Sequence, residues 1–305
     1  MKGLRVMILG AGGFIGSHLS NSFIKNGALV HALGRSLNNL DISSDNLIKT
    51  EFNDINNESL QNTKQPDYIY FLIGSASVAR SIDAPLFDFY QSIPPLLLVL
   101  EKLRNEWKST RLIFISSAAV YGESACDNTS VSSQLTPLSP YGLNKKISEE
   151  YISYYCAHYN INAKIIRPFS VYGPNLKKQL IWDVLNKITR NEHHFFGSGD
   201  ELRDWIYIDD FISILVQYAT DYESMDNVLN IGSGKAVSVK NVINILYRIT
   251  NTQDTPSFID GGKEGDPKHL VSRYEEQEYV RQFLITSLEK GLTSTVNWFS
   301  ERENR

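Results

Sequence analysis

Leu4-Arg5-Val6-Met7-Ile8-Leu9-Gly10-Ala11-Gly12-Gly13-Phe14-Ile15-Gly16 is an apolar run that ends on a glycine-rich turn. A short apolar run bounded by glycines reads as a buried parallel strand. The pattern then predicts a helix over residues 14–26, closed by Gly27, and a second strand over 28–33. Together these make a first βαβ unit. Gly10, Gly13 and Gly16 are spaced G-x-x-G-x-x-G, which permits a tight turn and close backbone approach. A pyrophosphate can then sit on the helix N-terminus, at the amides of Phe14 and Ile15. Glycine turns also occur for purely structural reasons. Placement after the first strand of a βαβ unit is what points to a dinucleotide.

Further strands are predicted at 68–73, 111–116 and 163–166, separated by helical pattern. Such alternation predicts an α/β fold with a Rossmann-type, doubly wound parallel sheet. After Arg167-Pro168 the texture changes to longer loops and shorter elements. Residues 1–168 are therefore expected to form the dinucleotide-binding domain. Residues 169–305 are expected to form mainly a smaller substrate-binding lobe, with segments around 203–232 returning to the first domain. Ser92 reads as a helix cap with Pro94 and Pro95 in the first turn. The following residues 96–107 are apolar on one side. With the helix over 141–159 they predict a helix-pair surface, packed internally or against a second copy in a homodimer. The charged tail after Phe299 is expected to fray.

The 305 residues suffice for one large domain or two lobes. Hydrophobic content of 42% and charged content of 21% are ordinary for a globular protein. A net charge of −4 gives no electrostatic reason to expect nucleic acid or an anionic membrane as partner. Cys126 and Cys156 form no C-x-x-C pair and read as reduced thiols, so the cytoplasm is the expected location. No signal peptide is evident, and no apolar run approaches the ~18 residues of a membrane span.

Tyr141-Gly142-Leu143-Asn144-Lys145 places a phenol and an ammonium on one helix face. An ammonium beside a phenol favours phenolate, so Tyr141 is expected to exchange protons below its free pKa of about 10. Ser117, in Ser116-Ser117-Ala118-Ala119-Val120-Tyr121-Gly122, stands at a predicted strand end, where its hydroxyl can bond the oxygen that Tyr141 protonates. The alternative role of Ser117 is strand-end capping, for which Ser116 is an equal candidate. The second strand ends Leu33-Gly34-Arg35-Ser36, with Gly34 where NAD sites carry an acid. Arg35 can pair with a 2′-phosphate and favours NADP(H), with NAD(H) as the alternative; a solvated surface arginine is the plainer reading. Asp54 and Ile55 can hold an adenine.

Other features have bland readings. His193-His194 lacks ligand-spaced partners, so no metal site is expected. His18 reads as packed, the aromatic 151–159 segment as helix packing, and Asp209-Asp210 as a helix start.

These residues resemble the extended short-chain dehydrogenase/reductase family, specifically its nucleotide-sugar epimerases, dehydratases and reductases. Phe71-Leu72-Ile73-Gly74-Ser75-Ala76 is similar to the family segment beneath the cofactor, which implies contact at Leu72. Arg167-Pro168-Phe169-Ser170-Val171-Tyr172-Gly173-Pro174, Gly197 to Trp205, Asn230 to Gly234 and Gly265-Asp266-Pro267-Lys268 resemble later landmarks. The resemblance implies a Ser117, Tyr141, Lys145 triad and cofactor contact at Pro168. It also implies that Arg203 binds a sugar nucleotide's diphosphate and that Ser170, Gln179, Asn230 and Lys268 line that site. Family dehydratases carry an Asp-Glu pair after the triad hydroxyl, and similar decarboxylases a Glu. This chain has Ala118-Ala119, which disfavours both activities. The departure of Ser170 from the family's Asn bears on the sugar site.

The first expectation is therefore NADPH-dependent reduction of a nucleotide-diphosphate 4-keto-sugar, in a cell-surface polysaccharide pathway by resemblance. The runner-up is an NAD-retaining C4 epimerase with the same triad. A non-catalytic NADP-binding sensor is the third reading, and the intact triad speaks against it.

Overall fold

A computed structural model of the chain describes residues 1–40, 43–53, 55, 59–60, 63–74, 77–123, 128–259, 265 and 267–303. The chain divides into two compact units. The first comprises Met1–Val120, Pro137–Arg167 and Ile214–Leu229, and the second Tyr121–Thr136, Pro168–Ser213 and Asn230–Arg305.

The first unit is built on a seven-stranded sheet. Its strands are β1 (Arg5–Leu9), β2 (Leu29–Gly34), β3 (Leu47–Glu51), β4 (Tyr68–Phe71), β5 (Arg111–Ile115), β6 (Asn162–Pro168) and β10 (Val228–Ile231), in the order β10-β6-β5-β4-β1-β2-β3. From β3 to β6 every neighbour is parallel. Leu9 pairs with Leu33 on one side and Phe71 on the other, and all three are fully buried. Burial on both sheet faces explains why these strands read as apolar runs rather than as alternating ones. One face packs Met7, Ile69, Leu112 and Phe114 against Leu96, Val99, Leu100 and Ile152 from two helices. The strand order reverses between β1 and β4, the topological switch point of a doubly wound sheet.

The helix after β1 spans Phe14–Lys25, and Gly27 follows at φ +80°, as the sequence predicted. Ser92 does not cap a helix. One helix, Pro85–Asn105, runs through it and holds Pro94 and Pro95 in its interior. An interior proline costs roughly 3 kcal/mol or more. The buried stripe of Asp88, Ser92, Ile93, Leu96, Val99, Leu100 and Leu103 continues across both prolines, so tertiary packing overrides that cost.

At the centre of the second unit lies β9 (Leu202–Tyr207). It pairs in parallel with β7 (Ser170–Tyr172) and β13 (His269–Leu270), and antiparallel with β11 (Ala236–Ser238). A parallel pair, β8 (His194–Phe196) and β12 (Ser257–Ile259), stands apart from it. The buried Asp204 carboxylate accepts the backbone and hydroxyl groups of both Ser233 and Ser272 and the amide of Gly234, which fixes the 232–234 turn. Within the stretch around 203–232, residues 214–229 belong to the first unit, while β9 is the central strand of the smaller sheet. Residues 121–136 likewise belong to the second unit, held by the Thr129–Ser272 bridge. The final helix, Leu288–Glu303, extends beyond Phe299 rather than fraying there. Phe299 and Arg302 both pack on Trp182, with ring centroids 5.3 Å apart and the guanidinium 5.3 Å from the ring.

Candidate active site

The glycine turn closes the carboxyl end of β1. Gly10 has φ +92°, and Gly13 caps the following helix without a side-chain bond. By helical geometry the amides of Phe14, Ile15 and Gly16 lack an intrahelical acceptor, and the first turn carries no acid. A Cβ on Gly12 would fall 1.7 Å from the Ser36 carbonyl oxygen, and one on Gly16 2.2 Å from that of Gly10. A Cβ on Gly10 would meet the Leu72 carbonyl carbon at 3.0 Å. Thus the turn, the segment after β2 and the segment after β4 converge at the switch point as backbone. This cradle of free amides and missing side chains fits a dinucleotide's pyrophosphate. Arg35 and Ser36 are exposed at its edge. Ile55 packs against the core cluster, and Asp54 lies outside the described residues. Pro168 ends β6 and is buried.

Ser117 follows β5 and accepts the Ala119 amide at 3.1 Å. Tyr141 and Lys145 lie on the helix Pro140–Tyr159, which starts with Pro140 in its first turn and is capped by Ser139, whose hydroxyl accepts the Gly142 amide at 3.2 Å. A Cβ on Gly142 would stand 2.5 Å from the Ala119 carbonyl oxygen, so glycine lets this helix seat against the Ala118–Val120 turn. There the Ser117 side chain lies beside that of Tyr141. The Lys145 ammonium donates to the Ile115 carbonyl at 2.8 Å and lies 4.8 Å from the centre of the Phe114 ring.

The electrostatics differ from the sequence expectation. Burial raises the Tyr141 pKa above its ordinary value, the Ser117 hydroxyl opposes that shift, and Asp88 adds to it. Lys145 is directed at a backbone carbonyl, and its own pKa is lowered to about 8 by burial, against the raising influence of Asp88 and Glu149. Desolvation of the phenolate therefore outweighs any pull from Lys145 in this state.

Two buried charged groups next to the triad escaped the sequence reading. Asp88, 1% exposed, accepts the Asn144 side-chain amide at 2.7 Å. Glu149 binds Arg167 through Nη2 at 2.6 Å and Nε at 3.0 Å, and accepts the Ser116 hydroxyl at 2.5 Å. Ser116 is therefore engaged in this network, while Ser117 stands beside Tyr141. The signal for Glu149 was available, because Tyr141, Lys145 and Glu149 repeat every four residues along one helix face. Asp88 offered no such signal.

In the second unit, the Arg203 guanidinium donates to the carbonyls of Leu202 at 3.0 Å and Lys268 at 3.4 Å. Lys268 is exposed, and its amide donates to Glu123 at 2.7 Å. Ser170 opens β7 opposite Trp205. Gln179 is exposed at the start of the Gln179–Thr189 helix with φ +67°, a strained backbone for a residue with a side chain. Asn230 does not fit the predicted role of lining a substrate site. It is 1% exposed, its oxygen accepts the Tyr121 hydroxyl at 2.8 Å, and its amide donates to the Thr129 carbonyl at 3.2 Å. Of the landmark after Gly265, Asp266 lies outside the described residues.

A profile described as the NAD dependent epimerase/dehydratase family matches residues 6–232. The chain belongs to that family. A putative UDP-glucose 4-epimerase of Methanocaldococcus jannaschii is 28% identical over 306 residues, spanning 96% of this chain and 97% of the relative. The solved UDP-N-acetylglucosamine 4-epimerase of Methanobrevibacter ruminantium, in complex with UDP-N-acetylmuramic acid, is 25% identical with a TM-score of 0.88. That likeness covers 99% of this chain and all of the other. The UDP-glucose 4-epimerase of Thermotoga maritima, solved with UDP-glucose, is 26% identical with a TM-score of 0.85, over 98% of this chain and 100% of the other.

As a member of the NAD dependent epimerase/dehydratase family, the chain is an enzyme of the extended short-chain dehydrogenase/reductase type. The family description names NAD, whereas Arg35 had pointed to NADP(H). The remaining candidates keep structural roles. His18 meets the Phe14 ring edge to face, His193 bonds the Tyr247 hydroxyl, and His194 bonds Ser257. Asp209 and Asp210 lie in the first turn of Ile208–Thr220. Among the described residues no group of three metal-ligating side chains occurs, and no helix is long and apolar enough to cross a membrane.

Proposed function

We propose that this enzyme is an NAD-dependent 4-epimerase of a nucleotide-diphosphate sugar, working in the cytoplasm. The observation that carries the reading is the Ser117–Tyr141 pair, with Ala118 and Ala119 directly after Ser117. Proton exchange at one oxygen is provided for, whereas no side chain on the next two residues can move a second proton for elimination. Full-length likeness to two solved 4-epimerases supports epimerisation over simple reduction.

A bound NAD supplies reversible hydride acceptance, and the residues of the glycine cradle (Gly10, Gly13, Phe14, Ile15, Gly16), with Ser36, Leu72 and Pro168, would hold it. Tyr141 takes the proton of the sugar C4 hydroxyl and returns it after the keto-sugar presents its other face. Ser117 orients that oxygen, and Lys145 holds the cofactor ribose and a positive charge beside the phenol. Arg203 binds the diphosphate, since its planar fork matches oxyanion geometry. Ser170, Gln179 and Lys268 contact the remainder of the substrate. A second copy of the chain covers the exposed Leu86, Tyr90, Leu143 and Tyr154 of the helix pair.

The test is proton NMR of UDP-glucose or UDP-N-acetylglucosamine incubated with the protein and NAD. Inversion at C4 without net absorbance at 340 nm supports epimerisation. Stoichiometric NADPH consumption with a 4-keto-sugar, and no inversion, would make the enzyme a reductase instead. Tyr141→Phe should lower turnover at least about a hundredfold at unchanged cofactor affinity.

A further inference from the structure

The helices Pro85–Asn105 and Pro140–Tyr159 enclose one carboxylate that the reaction above does not use. Asp88 is 1% exposed; its Oδ2 accepts the Asn144 amide at 2.7 Å, and its Oδ1 has no hydrogen-bond partner among the described residues. Asn144, itself 5% exposed, stands directly before Lys145 and three residues after Tyr141. A buried carboxylate with an empty lone pair is costly, and such exceptions call for an explanation. Gly74 opens space here. A Cβ on it would lie 3.8 Å from the Lys145 ammonium and 3.3 Å from the Ser92 hydroxyl.

We infer that Asp88 is a positioning residue: through Asn144 it fixes the Tyr141–Lys145 turn of the helix, and through its charge it sets the pH range of turnover. The inference rests on the reading of Tyr141 and Lys145 as the proton-handling pair. Among the described residues, the charged and titratable groups facing this pair are few. Lys145 meets Asp88 and Glu149, and Glu149 is already neutralised by Arg167. Tyr141 meets Ser117 and Asp88. From β5 come the Ile115 carbonyl and the Phe114 ring. On the preceding Val78–Asp83 helix, Arg80 is directed to the Phe87 ring at 4.6 Å, and the Ser81 hydroxyl accepts the Tyr141 amide at 3.1 Å. The Asp88 charge raises the pKa of both Tyr141 and Lys145, so removing it lowers both.

The test compares wild type with Asp88→Asn, which keeps the shape and removes the charge, and with Asp88→Glu, which keeps the charge. Both limbs of the kcat–pH profile should move to lower pH in Asp88→Asn, with KM for the sugar nucleotide unchanged. Asp88→Glu should hold the wild-type limbs. In parallel, NMR titration of ¹³C-lysine-labelled protein without substrate follows Lys145, with a wild-type midpoint near about 8 that falls in Asp88→Asn. A purely structural role would lower the height of the profile and leave its position and the Lys145 midpoint in place, which would overturn the inference. Should Asp88→Asn fail to fold, Asp88→Ser provides the neutral variant. Absence of turnover on every sugar nucleotide would remove the epimerase reading, while the Lys145 midpoint would still report the Asp88 link.

Discussion

Glu149→Ala is expected to destabilise the protein more than any single change on the enzyme's surface. The substitution leaves the Arg167 guanidinium, 6% exposed, without the carboxylate that takes two of its nitrogens at 2.6 and 3.0 Å. Breaking a buried pair on one side costs about 3–5 kcal/mol, because the surviving charge stays desolvated. The Ser116 hydroxyl loses its acceptor as well, which adds about 1 kcal/mol. The sum, about 4–6 kcal/mol, is a large part of the roughly 5–15 kcal/mol that holds a typical domain folded. Replacing both partners, as Glu149→Leu with Arg167→Met, removes both charges together and should recover all but about 1–2 kcal/mol. Urea unfolding followed by circular dichroism at pH 7 measures Glu149→Ala, the singles Glu149→Leu and Arg167→Met, and their double. A single-mutant cost below about 1 kcal/mol, or a double-mutant cost equal to the sum of the singles, would refute the argument that the pair is a desolvated unit.

Gly16→Ala places a methyl 2.2 Å from the Gly10 carbonyl oxygen, so the cradle must open, and calorimetry should find NAD affinity reduced at least about tenfold. Lys145→Met should abolish turnover yet stabilise the fold at pH 7. With a folded pKa of about 8 against an ordinary value of 10.5, the unfolded chain binds the extra proton between those values, so wild-type stability rises with pH across that window. Below it the buried charge costs on the order of 3 kcal/mol, offset by about 1 kcal/mol for the Ile115 carbonyl left without its donor; thermal unfolding at pH 7 and pH 10 checks both the gain and its disappearance. Arg203→Ala should raise KM for an intact sugar nucleotide strongly at unchanged cofactor affinity, and steady-state kinetics against the same sugar without its diphosphate should show most of the preference lost.

The sheet was legible because its strands are continuous apolar runs between glycine or serine punctuation, as at 4–16 and 111–117. The Tyr141 helix was legible from its spacing alone. What the sequence hid are contacts between groups far apart in the chain. Asp88 reads as an ordinary polar residue until the Pro140–Tyr159 helix buries it against Asn144. Pro94 and Pro95 are a local signal for a helix start, and only the buried stripe beneath them shows why the helix continues. Asn230 matched a family landmark in sequence, yet both ends of its amide are engaged by Tyr121 and by Thr129, residues about a hundred positions earlier. Whether a polar side chain faces a ligand or its own protein is decided by such distant partners.

The order in which the chain is synthesised meets a constraint from β10. Strand β6 ends at Pro168, and its outer neighbour begins only at Val228, roughly sixty residues later. At ~5–20 residues per second, the ribosome leaves that edge of the nascent sheet uncapped for several seconds, with its row of amides and carbonyls open to another chain. Lys164, whose ammonium reaches the Tyr222 and Met225 carbonyls once they exist, is by then already on the waiting strand. Before its acceptors arrive it is a lone cation, the residue that natural sheets use to repel a stray neighbour.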